Sequence, residues 1–185
     1  MEGTEHAYNP MQIVKRRFFT FRNGVIADVL RRAGSPYKVI FGLNLPQIVE
    51  IAGETGPSRE LAEALWENNT TRESALLAPM IMPRDSFTED DARRWVDTVP
   101  DHEAADILCH RLLRHMPYAC TLADKLVEEE GMALYTGIRL AVNFLYQHPR
   151  EAFDIANKVL QRQKTDSSRR LADQIITEVK ELSLL

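Results

Sequence analysis

The chain has 185 residues, 44% of them apolar and 27% charged, and a formal net charge of −4. That suits one domain over residues 1–185 with a sizeable core, its first eight residues frayed. The acidic balance argues against bulk affinity for nucleic acid, which depends on neutralising phosphates, but leaves room for a local basic stripe. No apolar stretch approaches the roughly 20 residues of a membrane span. The opening Met1-Glu2-Gly3-Thr4-Glu5-His6 is wrong for a secretory signal. The chain is therefore expected in the cytoplasm, with no membrane partner.

Apolar residues recur at helical spacing from end to end. The pattern predicts helices over 10–22, 24–33, 45–55, 58–68, 71–82, 88–98, 101–115, 118–129, 132–148, 150–163 and 167–183. The first two carry Lys15-Arg16-Arg17 before Phe18-Phe19, then Arg22, Arg31 and Arg32. Tyr37 to Phe41 is the one β-like run, and it ends at Gly42. Ser58 after Pro57, Thr88 before Glu89-Asp90-Asp91, and Asp101 after Pro100 are all helix-cap signals. Gly34, Gly56 and Gly131 fall near helix ends. Pro79 lies inside an apolar helix and should kink or divide it. Trp66 and Trp95 read as core. Cys109 and Cys120, too few for a disulfide framework, read as reduced core residues.

Helix 101–115 has an apolar stripe of Ala105, Leu108, Cys109, Leu112 and Leu113, continued by Met116. His102, Asp106 and His110 follow one another at i, i+4 and i+8 along its flank. Three readings stay open. The row is a plain helix flank with a His–Asp hydrogen bond, or it carries a functional carboxylate in a partly desolvated place, or it binds a metal. The metal reading is weak, because i and i+8 lie ~12 Å apart along a helix axis. Helix 132–148 has a core stripe of Leu134, Ile138, Ala141, Val142 and Leu145. Its second face reads Tyr135, Arg139, Asn143 and Tyr146. A guanidinium, two phenols and an amide on one face can hold phosphate or stack on bases. An ordinary amphipathic face with Arg139 paired to a carboxylate is the alternative. Arg111 with Arg114, and Arg93-Arg94, add basic pairs that by default are solvated surface.

Helices of this length on short loops, with almost no strand signal, suit stacked helix pairs of the HEAT type. A compact bundle is the other possibility, and no clean internal repeat decides between them. The chain has no phosphate-binding G-x-x-x-x-G-K-[ST], no G-x-G-x-x-G, no C-x-x-C, no H-E-x-x-H and no G-x-S-x-G. A nucleotide- or zinc-dependent enzyme is not expected.

Several of these features stand in a familiar order. Phe41-Gly42 precedes a helix opened by Pro46. A helix ending in Leu65-Trp66 leads to Glu73 with Leu76-Leu77-Ala78, then Thr88 to Trp95, the Asp106 helix, and Arg139-Leu140-Ala141. Over residues 37–146 the chain resembles the bacterial HEAT-like-repeat DNA alkylation repair proteins, a helical group of DNA N-glycosylases. The resemblance implies an all-α fold: a right-handed α-α superhelix, an armadillo-type solenoid of HEAT-like repeats. It implies double-stranded DNA on a concave face as the partner, and excision of cationic alkylated purines without taking the base out of the stack. It implies no metal and no organic cofactor. Asp106 resembles the family's catalytic carboxylate, and Arg139 the second arginine of its paired-arginine helix. His102 stands where the family usually has a tryptophan, and Ile138 where it has the first arginine. Catalysis is thus assigned to Asp106 and Arg139, and DNA contact to His102, Tyr135, Asn143, Arg111, Arg16 and Arg17. The alternative function is a non-catalytic scaffold that binds DNA structures or a protein partner.

Overall fold

A computed structural model describes residues 9–162 and 166–183; the expected fraying of residues 1–8 lies outside them. Among the described residues there are eleven α-helices and no strand. No helix there is long and apolar enough to cross a membrane. The chain forms two compact units, Met1–Pro83 and Arg84–Leu185.

The first unit holds α1 (Pro10–Thr20), α2 (Gly24–Arg32), α3 (Leu45–Thr55), α4 (Arg59–Glu67) and α5 (Arg72–Ile81). Asn9 and Asn44 cap α1 and α3 through capping boxes, each with a proline in the first turn, and the Ser58 hydroxyl accepts from Leu61 N at α4. Pro79 does not divide the helix. Proline sits in the last turn of α5, and the helix continues to Ile81. The β-like run is likewise corrected: only one bridge joins Val39 to Thr71.

That segment is instead tied down by a carboxylate. Glu73, fully buried, accepts from the backbone N–H groups of Phe41 (3.0 Å), Gly42 (2.9 Å) and Leu43 (3.3 Å). Arg72 bridges the other way, donating to Glu73 (3.1 Å) and to Leu43 O (2.9 Å). Gly42 has φ of 81°, and a Cβ there would stand 2.2 Å from Asn23 O. Only glycine fits both demands.

The second unit holds α6 (Glu89–Asp97), α7 (His102–Arg111), α8 (Ala119–Leu126), α9 (Gly131–Phe144), α10 (Pro149–Arg162) and α11 (Asp166–Glu181). Thr88 and Asp101 cap α6 and α7 as the sequence predicts. Several predicted helices end early, two of them by a full turn. α7 stops at Arg111 and gives way to a 3-10 turn over Leu113–His115. Pro117 favours the extended Met116 that follows (φ −84°, ψ 142°). α9 stops at Phe144, ahead of Pro149, which opens α10. α9 packs against α7, α8, α10 and α11 and is buried on most sides. Val142, expected in its core stripe, is only half-buried. Gly137 lets α8 come close; a Cβ there would meet Leu126 Cβ at 2.8 Å and Val127 Cγ1 at 2.9 Å. Trp66 and Trp95 are core, as expected. Both cysteines are free; Cys109 is buried, whereas Cys120 is only half-buried.

Candidate nucleic-acid interface

Two rows of side chains face each other across α7 and α9. On α7 the row is His102, Asp106 and His110; on α9 it is Tyr135, Arg139 and Asn143. Each row advances four residues at a time, so each lies along one helix face. They meet as three rungs with a constant offset of 33 residues. The His102 ring meets the Tyr135 ring edge-on, 4.1 Å between centroids. Arg139 meets Asp106. His110 Nδ1 lies 3.1 Å from Asn143 Oδ1. Offsets that stay constant along both helices mean that α7 and α9 run in the same direction.

The middle rung joins a carboxylate, a guanidinium and a phenol. Arg139 forks onto Asp106, Nε to Oδ1 and an Nη to Oδ2, both at 2.8 Å. The Tyr135 hydroxyl donates to Oδ1, also at 2.8 Å. A bidentate guanidinium fixes both the charge and the orientation of a carboxylate. Asn143 donates to Arg139 O (2.8 Å), tying the third rung to the second. About a third of the Asp106 and Arg139 side chains remains exposed, so solvent or a ligand reaches the pair. Tyr135 is buried. Burial first, and then its hydrogen bond to Asp106, push the phenol well above its ordinary range, so it stays a donor. Behind the rung, burial and then the Asp106 charge raise the Cys109 thiol, which lies 3.5 Å from Thr136 O.

The open readings of this helix resolve partly. Asp106 makes no bond to either histidine; its partners are on α9. Among the described residues no cluster is suited to a metal ion. Ile138 is buried in the core. Tyr146, expected on the same face as Arg139, is exposed and bonds Glu178 of α11 at 2.8 Å. Arg111 ends α7, five residues past Asp106. Arg16 and Arg17 lie on α1 in the other unit. Arg16 is exposed, while Arg17 is engaged by Glu54 (2.5 and 2.7 Å) and Glu50 (3.4 Å). The His110–Asn143 rung was missed in the sequence; the shared four-residue step of the two rows was its only signal.

The family model for DNA alkylation repair enzymes matches residues 15–164. The chain belongs to that family. No curated protein matches it in sequence. Among solved structures it is similar to one described as belonging to a new family of proteins related to the HEAT-like repeat DNA glycosylases, with affinity for branched DNA structures. The TM-score is 0.79 over 91% of this chain and 75% of that one, at 14% identity. The fold is therefore all-α and of the HEAT-like repeat type.

Proposed function

We propose that this member of the DNA alkylation repair family binds DNA on the face of its second unit that carries the three rungs, and releases cationic N-alkylated purines there. Asp106 carries the reading: a carboxylate, fixed by Arg139 and Tyr135, at a rim that stays open. Alkylation at a ring nitrogen gives the purine a positive charge. When its bond to C1′ breaks, the electron pair leaves with the base, which departs neutral. The sugar becomes an oxocarbenium ion. A fixed carboxylate stabilises that charge and orients the water whose oxygen joins C1′, the surplus proton passing to solvent. Arg139 and Asn143 face the phosphate backbone, and the His102–Tyr135 edge faces the sugar. The partner is double-stranded DNA, and the compartment is the cytoplasm.

A second reading draws on the same rung. Both Asp106 oxygens already hold donors, and a neutralised carboxylate is a weaker catalyst than a free one. A relative of the same fold is described by its affinity for branched DNA. Binding to DNA structures without excision fits that observation. Base release from N-methylated duplex DNA separates the two. Wild type should release base, and Asp106→Asn should lose about a hundredfold or more in rate. No release by wild type, with tight binding to a four-way junction, selects the second reading. Equal release by both proteins removes Asp106 from the chemistry.

A further inference from the structure

Past the rungs, the chain gathers positive charge that no carboxylate among the described residues neutralises. α7 ends in His110-Arg111, and the turn after it holds Arg114-His115. Arg84, from the turn that opens this unit, reaches across and lies 3.5 Å from Arg111 O. Arg114 Nε donates to His115 Nε2 at 3.2 Å. The Arg111 Nε is buried with no hydrogen-bond partner among the described residues. Among the described residues no carboxylate pairs with Arg84, Arg111, Arg114 or His115, not even Asp85, which adjoins Arg84 in the chain. The arginines of α6 differ: Arg93 is held by Asp97 and Glu129, and Arg94 by Asp91.

A helix C-terminus welcomes cations, but its partial charge is only about −0.5. Arg84 at the Arg111 carbonyl already answers it. Three guanidiniums exceed that need several-fold, before the neighbouring imidazole gains any charge. Their mutual repulsion is relieved by an anion, and guanidinium forks match phosphate oxygens best. We infer that the C-terminal end of α7 is a phosphate site, in which Arg84, Arg111, Arg114 and His115 hold the backbone of bound DNA beside the Asp106 rung. This rests on the DNA reading above. His110 links the two places, since its ring bonds Asn143 of the third rung and its charge bears on His115.

His115 also supplies a reporter. Burial, then Arg84, Arg114 and His110, hold its pKa below the ordinary 6.5. A phosphate among those groups opposes the last three causes, so His115 takes up a proton as the anion binds. The test has two arms on the full chain. In the first, the His115 ring is titrated by NMR with and without inorganic phosphate; its pKa should rise with phosphate, and should not in Arg114→Gln. In the second, DNA affinity is followed against salt for wild type, Arg84→Gln and Arg114→Gln. Each variant should lower the slope of log K on log salt by about one, and weaken all sequences alike. Slopes equal to wild type in both variants, with His115 blind to phosphate, overturn the site while leaving DNA binding intact. A phosphate-dependent His115 in a protein that does not bind DNA upholds the anion site and removes the DNA reading.

Discussion

Tyr135 shows how a single residue keeps the rung bonded. Its phenol must stay protonated to donate to Asp106, and burial ensures that it does. The sign of the pH dependence follows. Below its ordinary pKa of 10.0 both folded and unfolded chains keep the proton, and the contribution is intact. Above it the unfolded chain ionises first, so stability falls as pH climbs through and beyond 10. Tyr118, raised by burial and by Asp91 and Glu89, acts in the same direction. Urea unfolding at pH 8 and pH 11 should therefore show an alkaline loss that is smaller in Tyr135→Phe. The same variant should cost about 1 kcal/mol at pH 8, the worth of one hydrogen bond. An alkaline loss identical to wild type would mean that the phenol is not shielded.

Elements were the most legible part of the sequence. Caps at Ser58, Thr88 and Asp101 and a steady helical period placed all eleven helices. Their C-termini were less legible, because Leu112 and Leu145 fit the period but precede prolines that pull the chain out of it. The rows 102/106/110 and 135/139/143 could be read as faces. Their register could not, since it depends on how α7 and α9 pack across 33 residues. Nor could the sequence show why Phe41-Gly42 precedes the Glu73 helix: a carboxylate buried under three backbone N–H groups. Glu73→Gln should test that anchor. An amide turns a donor toward donors and leaves Arg72 buried with less charge to face. The loss should be about 3 kcal/mol or more in chemical unfolding. A loss under about 1 kcal/mol would show the segment to be held by its apolar contacts instead. Gly137→Ala is the matching test in the second unit. It overpacks α9 against α8 and should cost about 1–3 kcal/mol.

At the scale of the whole molecule, a repeat absent from the residue identities is present in the contacts. In the second unit, links from each helix to the next but one span nearly the same length of chain. Lys125 reaches Glu89 across 36 residues, Arg139 reaches Asp106 across 33, Lys158 reaches Asp124 across 34, and Tyr146 reaches Glu178 across 32. Within the first unit Arg17 reaches Glu50 across 33. A HEAT-like fold needs that spacing and an apolar period, not particular residues, so sequence self-similarity can fade while the stack persists. Most of these links are exposed ion pairs worth little to stability. The Asp106 rung differs in joining a fork, a phenol and an open rim at one place, and that is why the DNA reading centres on it. A net charge of −4 makes the reading a sharp one, because affinity must come from local clusters rather than from the chain as a whole. The most direct measurement is equilibrium binding of the full chain to duplex and four-way-junction DNA across a range of salt, with Arg139→Gln beside wild type. The account predicts an affinity that falls steeply with salt, and a shallower slope in the variant. A flat salt dependence, or a slope that Arg139→Gln leaves unchanged, would contradict it.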